Sequence, residues 1–229
     1  MGYAVAMRLW IIAVVFAAFA AAQSPALPPD IDKESYSRLP LKKRADFSGD
    51  QLKVYDSIAG QDAQGNPRAT PPLGPAATSL YSLGVALPMN DLNQYIRRTV
   101  VGTAIYQLCT LIAAREFSEN YEWAAHEPGA LRAGVDQKSV DAIKFDRSTE
   151  GLPAKEALVI RFGRAIFRDR KVTPELYAAV VKEFGQQGMY EITAVIGDYA
   201  MAAIMLKAVD QHAPAQGYQP LPAIQFSAR

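Results

Sequence analysis

Helical periodicity constrains the fold of this chain more than any other feature. Between Met189 and Leu206, apolar residues recur every three or four positions, which is the spacing of one helix face. Thr173, Pro174 and Glu175 carry the signals of a helix start, and Gly185 is expected to end that helix. Because no convincing run alternates Val, Ile and Thr as strands do, the sequence predicts an all-α fold of about six or seven helices.

Composition excludes several classes of protein. Among 229 residues, 24 Lys and Arg stand against 23 Asp and Glu, so the net charge of +1 argues against a nucleic-acid-binding surface. The single cysteine, Cys109, excludes an intrachain disulfide, and two histidines, His126 and His212, are too few for a histidine-rich metal site. No glycine-rich phosphate loop stands between a strand and a helix pattern, so we expect no cofactor.

The N-terminus has the pattern of an export signal. Arg8 precedes an apolar run from Leu9 to Ala22 that ends in small residues. This run is shorter than the roughly 20 residues that span a bilayer, so we expect cleavage rather than retention as an anchor. The sequence therefore predicts a signal peptide over residues 1–22 and an exported protein, periplasmic or secreted, without stable membrane association.

Three regions follow the signal. Residues 23–45 are rich in proline and polar residues and predict an extended arm. Residues 46–212 form the predicted helical domain, in which Ser48 and Asp136 precede helices and a long Gly- and Pro-rich loop runs from 60 to 75. Residues 213–229 are again rich in proline and predict a C-terminal tail.

One segment concentrates groups that could do chemistry. On a helix, Glu119, Glu122 and His126 would lie within about 60° of one another, with Trp123 beside them. A carboxylate next to an imidazole holds one tautomer and keeps the histidine protonatable near neutral pH, as general acid–base catalysis requires. The spacing is equally compatible with a solvated face in which Glu and His form a weak pair. A metal site would need further ligands from a chain with one other histidine.

The residues from Glu119 to Gly134, ENYEWAAHEPGALRAG, resemble the carboxymuconolactone decarboxylase family, which includes the alkylhydroperoxidase D-like proteins. Weaker similarity in Arg38-Leu39-Pro40, in Leu73-Gly74-Pro75 and in the helix from Ile192 to Lys207 extends it over roughly residues 28–222. The resemblance implies an all-α helical bundle that assembles as a homotrimer or hexamer, with active sites between helices at subunit boundaries.

The chain departs from the peroxidase branch of that family. That branch carries Cys-x-x-Cys-x-x-x-His, and here Glu119 and Glu122 stand at the cysteine positions while His126 matches the histidine. Gln107 stands where the branch has a proton-relaying glutamate. Without thiolates a peroxide meets no nucleophile, and Cys109, within an apolar run, is expected to be a buried structural thiol. The sequence therefore argues against peroxiredoxin-type hydroperoxidase activity.

The decarboxylase branch needs no thiol, so the resemblance implies a cofactor-independent lyase that acts on a small carboxylated or lactone substrate. His126 would be the acid–base group, and Glu122 and Glu119 would orient it. Hydrogen-bond donors, a pocket wall and a cation for the substrate carboxylate are expected among five residues. These are Gln107, Tyr121, Trp123, Arg68 and Arg115.

A second hypothesis belongs to another functional class. The chain would be a non-catalytic oligomeric protein that binds a small molecule, having kept the fold and lost the chemistry. Gln107 favours this alternative, because a titratable group is missing where the peroxidases use one. Trp123 is equally compatible with a core aromatic side chain, and Arg68 and Arg115 with ordinary surface arginines.

Overall fold

The computed structural model describes residues 27–213 and 220–224, so the signal peptide predicted over residues 1–22 lies outside the described residues. Within these ranges the chain is helical and has no β-strand, although an isolated bridge pairs Gln61 with Pro67. The helices are α1 (Gly49–Ala59), α2 (Pro75–Ser79), α3 (Leu83–Ile96), α4 (Thr103–Glu116), α5 (Asn120–Arg132), α6 (Gln137–Lys144), α7 (Ala154–Arg164) and α8 (Pro174–Ala208). The all-α prediction is confirmed. The described part of the chain holds eight helices because α2 is too short to show a period.

Local capping signals predicted the helix starts well. Helix α1 begins one residue after Ser48. The Asp136 side chain accepts a hydrogen bond from the Lys138 backbone N–H at 2.7 Å and caps α6. The Thr173 hydroxyl accepts from the Leu176 N–H at 3.3 Å and caps α8. The three predicted helix starts are confirmed, and the side chains of Asp136 and Thr173 cap their helices, whereas the Ser48 side chain makes no capping hydrogen bond.

Helix α4 forms the centre of the fold. Every residue from Leu108 to Arg115 is buried, and the helix packs against α5, α7 and α8. A helix that is apolar on nearly all sides is stable only when other elements cover it. Helix α4 therefore fixes the positions of α5 and α8.

Helix α8 has the length and composition of a membrane-spanning helix, but half of its apolar window is buried inside the protein. Gly185 interrupts its helical geometry with φ 72° and ψ 172°, as the sequence predicts. Beyond this break, the predicted apolar stripe is buried from Ile192 to Leu206. This buried stripe makes the second part of α8 a wall of the core.

The segments that flank the helical body lie against it. Residues 27–45 form turns rather than an extended arm, because the Asp32 side chain accepts hydrogen bonds from two following backbone N–H groups. Backbone hydrogen bonds from Arg38 to Val209 (2.8 Å) and from His212 to Tyr36 (2.7 Å) tie this segment to the end of α8. In the described part of the tail, the Leu221 N–H donates to Asn120 Oδ1 at 3.0 Å.

Candidate active site

A cavity of about 270 Å³ lies between α5 and α8 on one side and α1, α2 and α3 on the other. Apolar side chains form much of its wall, and a few polar groups converge on it, which is the usual form of a small-molecule site. The main polar side chains of the lining come from α3, α5, α8 and the residue after α3: Asn90, Asn93, Arg97, Tyr121, Glu122, His126, Asp198 and Tyr199.

Helix α5 places Glu122 and His126 together in the cavity wall. Its start is fixed by Glu119, whose Oε2 accepts a hydrogen bond from the Glu122 N–H at 2.7 Å. One turn along the helix, Glu122 Oε2 lies 3.5 Å from His126 Nε2. The Tyr199 ring of α8 meets the His126 ring edge-on, with 5.0 Å between their centroids. The pair is therefore held by two helices.

Gln107 on α4 sets the tautomer of His126. Its Oε1 lies 2.8 Å from His126 Nδ1. Because a carbonyl oxygen accepts and does not donate, Nδ1 of the neutral ring carries the hydrogen. The lone pair of His126 then lies on Nε2, next to Glu122.

Burial controls the protonation of this pair. Burial, reinforced by the charge of Arg97, lowers the pKa of His126 to about 4. Burial, together with the nearby acids Glu119 and Asp198, raises the pKa of Glu122 to about 8. At neutral pH the imidazole is thus uncharged and the proton resides on Glu122. The prediction that a neighbouring glutamate keeps His126 protonatable near neutral pH is wrong, because the glutamate is itself neutral there.

Five of the main polar lining residues were not predicted from the sequence, namely Asn90, Asn93, Arg97, Asp198 and Tyr199, and three of them form one hydrogen-bonded chain. Arg97 Nε donates to Asn93 Oδ1 at 2.7 Å, and Asn93 Nδ2 donates to Asp198 Oδ2 at 2.9 Å. Burial raises the pKa of Asp198 above its ordinary value. The four-residue spacing of Asn93 and Arg97 indicates a shared helix face. Nothing local connects them to Asp198, which lies 105 residues after Asn93.

The structure brings part of the predicted site together. Tyr121 lines the cavity, and Gln107 contacts His126. Trp123 is fully buried in the core and does not line the cavity; its Nε1 donates to Glu127 Oε2 at 2.8 Å.

Three predicted residues lie elsewhere. Glu119 is the N-cap of α5 and does not line the cavity. Arg68 is exposed in the loop after α1, where its Nε donates to Gln61 O at 3.0 Å. Arg115 is 1% exposed at the end of α4, and its Nη2 donates to Pro222 O at 2.9 Å. The cation of the cavity is Arg97 instead.

Thiol chemistry has no nucleophile at this cavity. Cys109, the one cysteine of the chain, is fully buried on α4, as expected, and does not line the cavity. Burial raises the pKa of its thiol far above the usual range. Across the described residues, no group of three or more His, Cys, Asp or Glu side chains is placed to hold a metal ion.

Comparison with solved structures identifies the architecture. The chain matches the debrominase Bmp8 in complex with 2,3,4-tribromopyrrole, with a TM-score of 0.56 and 16% identity over 76% of this chain and 90% of that chain. It also matches an uncharacterized peroxidase-related protein from Silicibacter sp. TM1040, with a TM-score of 0.60 and 13% identity over 81% and 95%. The fold is alkylhydroperoxidase D-like.

The likeness to these proteins is one of fold. The apo form of Bmp8 gives the same result, with a TM-score of 0.56 and 16% identity over 79% of this chain and 92% of that chain. No protein-family model matches the chain, and no curated protein matches it by sequence. The fold of this chain is therefore shared with at least one enzyme, a debrominase, and a shared fold does not by itself assign a reaction to this cavity.

Proposed function

We propose that this protein is a cofactor-independent lyase of the carboxymuconolactone decarboxylase type, which removes CO₂ from a small carboxylated or lactone substrate. One observation carries the proposal. A neutral Glu122–His126 pair, with its proton on Glu122, faces a cavity that also presents the cation Arg97. The pair supplies an acid and a base, and the guanidinium of Arg97 suits a carboxylate.

The proposed reaction needs one proton and one electron sink. The bond to the carboxylate carbon breaks, CO₂ leaves, and the electron pair moves into a conjugated carbonyl group to give an enolate. Arg97 holds the carboxylate before the bond breaks. Tyr121, whose hydroxyl makes no hydrogen bond to any described residue, donates to the enolate oxygen. Glu122 gives its proton to the substrate carbon.

His126 restores the acid after each turnover. Its Nε2 relays a proton from water to Glu122, 3.5 Å away, and the hydroxide left behind combines with the released CO₂ to give bicarbonate. This division of labour reverses the expectation from the sequence, in which His126 donates and the glutamates orient it. The reversal follows from burial, which lowers the pKa of His126 and raises that of Glu122.

The test begins with a ligand-stabilisation screen. The protein is heated with small carboxylic acids and lactones, since a compound that binds the folded state raises the melting temperature. A compound that stabilises the protein is then assayed for turnover with Glu122→Gln, His126→Ala and His212→Ala. Loss of the acid or base is expected to slow turnover by about 10²–10⁴-fold.

His212→Ala is the matched control, because His212 does not line the cavity. It is expected to keep wild-type turnover. Wild-type turnover by both Glu122→Gln and His126→Ala would overturn the proposed chemistry.

A non-catalytic binding protein is the second candidate function. It is favoured by Gln107, since an amide in contact with His126 has no proton to relay. Under this alternative, a compound from the screen binds with Arg97 in place and is never consumed. The same screen therefore separates the two functions.

We also propose that residues 1–22 direct export. The proposal rests on the charged start, the short apolar run and its small-residue end. Cell fractionation and N-terminal sequencing of the mature protein test it, and a mature N-terminus at Gln23 is the expected result.

A further inference from the structure

The cavity is polar along one half of α3 and apolar along the other. Arg97 and Asn93 face the cavity from the C-terminal end of α3, and Met89 and Ala86 face it from further back along the same helix. At 1.5 Å per residue, Met89 lies about 12 Å along the helix axis from Arg97. Asn90 Nδ2 donates to Ser57 Oγ at 3.4 Å, which brings the end of α1 to this second half.

The apolar half is extended by α1 and α2. Ile58 of α1 and Ala76 of α2 line the cavity, together with Leu73 from the loop before α2. These side chains offer contact to hydrocarbon and no charge. A ligand that reaches them from Arg97 therefore needs an apolar body.

The polar half holds one cation. Among the described residues that line the cavity, Arg97 alone carries a positive charge. Its Nε is engaged by Asn93 Oδ1, and it forms no ion pair with an acid in the described ranges, so its terminal amino groups remain for a ligand. Asn93 in turn is held by Asp198 through its Nδ2 at 2.9 Å. This arrangement aims the guanidinium and leaves it to bind one carboxylate.

A second negative charge has no cationic partner among the described residues that line the cavity. The polar half already contains two acids, Glu122 and Asp198, and both are buried. Another carboxylate placed there would meet these two acids, of which Glu122 is uncharged at neutral pH, and no cation besides Arg97. One placed against Ile58 or Met89 would lose its hydration without gaining a cation. The cavity of about 270 Å³ is also small for a ligand site.

We propose that the cavity selects small monocarboxylates with an apolar body and rejects dicarboxylates. The carboxylate binds Arg97, and the apolar body lies along Met89 and Ile58. This inference names the substrate class of the proposed lyase and so rests on that function, but it concerns binding and is measured without turnover.

Three compounds of similar shape test, by titration calorimetry, whether the cavity binds one carboxylate more tightly than none or two. They are 3-phenylpropanoate, its neutral amide 3-phenylpropanamide, and phenylsuccinate, which adds a second carboxylate to the same body. None has a conjugated carbonyl group that could accept the electron pair on loss of CO₂, so none is expected to be decarboxylated. We expect 3-phenylpropanoate to bind at least about tenfold more tightly than either other probe at low salt. The preference over the amide is expected to shrink in high salt, because Arg97 is exposed.

Two arginine variants show which residue causes the preference for the carboxylate over the amide. Arg97→Gln is expected to reduce the ratio of acid to amide affinity to about one, whereas Arg98→Gln leaves it unchanged, since Arg98 is exposed and does not line the cavity. Equal or tighter binding of phenylsuccinate, a preference that survives Arg97→Gln, or no binding of 3-phenylpropanoate would each overturn the inference. Failure of the proposed lyase is a separate result, in which a monocarboxylate binds as expected and no carboxylated compound of the screen is consumed.

Discussion

Two buried glutamates, Glu122 on α5 and Glu191 on α8, lie in opposite protonation states. Glu122 is 3% exposed and Glu191 is 5% exposed. Burial raises the pKa of Glu122 to about 8, whereas hydrogen bonds lower the pKa of Glu191 to about 2. The donors to Glu191 are Thr99 Oγ1 (2.6 Å), Val100 N (2.8 Å), Gln187 Nε2 (2.8 Å) and Tyr95 Oη (3.2 Å).

The comparison separates a structural carboxylate from a reactive one. Both side chains are almost inaccessible to solvent, but Glu122 lies deep between packed helices, where burial dominates its pKa, whereas Glu191 lies nearer the surface, where hydrogen-bond donors dominate. Glu191 joins the connection between α3 and α4 to α8, and its charge is fully solvated by the protein. The Glu122 carboxyl has His126 Nε2 at 3.5 Å and two acids nearby. A buried carboxyl without donors keeps its proton, and this proton is available for transfer.

The largest expected effect is on turnover. Glu122→Gln removes the transferable proton and is expected to lower kcat by about 10²–10⁴-fold. The fold should tolerate the change, because Glu122 is already uncharged and glutamine has nearly the same shape. Glu191→Gln is expected to change kcat by no more than a few fold, since Glu191 does not line the cavity. Parallel measurements of kcat and melting temperature check both variants, and equal kcat values would remove the distinction between the two glutamates.

The second effect is on stability. Glu191→Ala leaves the Thr99 hydroxyl and the Val100 N–H without their acceptor. We expect a loss of about 3 kcal/mol in the free energy of unfolding, from urea denaturation at pH 7. Glu191→Gln keeps one acceptor oxygen and should lose less. A loss below about 1 kcal/mol for Glu191→Ala would show that these hydrogen bonds contribute little.

The third effect is that the two glutamates make the free energy of unfolding depend on pH in opposite directions. The folded pKa of Glu122, about 8, lies above its ordinary value of 4.5, so the folded state binds the extra proton between these values. Its contribution to stability therefore falls as pH rises from about 4.5 to 8. Glu191 has a folded pKa of about 2, so its contribution is present above 4.5 and is lost as pH falls towards 2.

Urea denaturation at about pH 3, 5, 7 and 9 measures these opposite trends, because the Glu191 contribution changes only below pH 4.5. In Glu122→Gln, the fall in the free energy of unfolding between about pH 4.5 and 8 should disappear. In Glu191→Gln, this fall should remain. Turnover should fall above pH 8, where Glu122 loses its proton, and towards pH 4, where His126 gains one. A decline in stability that persists unchanged in Glu122→Gln would assign it to another group.

The sequence predicted the fold because its signals are local. The cap at Thr173, the break at Gly185 and the stripe after it are each contained within a few turns of one helix. Helix α2 was missed, since Pro75–Ser79 is shorter than two turns and has no period to detect.

The candidate site was predicted only where one helix supplies it. Glu122 and His126 meet because they are four residues apart on α5. Arg97 and Asp198 come from different elements, and no local pattern joins residues so far apart in the chain. Protonation was predicted incorrectly for the same reason, since the burial that shifts the pKa of His126 comes from packing against other helices.

The smallest expected effect concerns the wall beside Glu122. Gly74 has φ +62°, and a Cβ there would lie 2.3 Å from Cε1 of Tyr121, which also lines the cavity. Gly65 has φ +82° and no atom within 4 Å of such a Cβ. Both positions have positive φ, so either substitution to alanine carries a backbone cost, and Gly65→Ala is the control that lacks the contact with Tyr121.

Gly74→Ala should displace the Tyr121 ring and admit water to Glu122. Because burial is the largest cause of the raised pKa of Glu122, the alkaline limb of turnover should move below pH 8 in Gly74→Ala and stay in place in Gly65→Ala. The pH profile of kcat measures this shift. If the limb stays at pH 8 in both variants, the walls from α3 and α8 keep Glu122 dry without Tyr121, and the Tyr121 ring then has no part in the raised pKa that distinguishes Glu122 from Glu191.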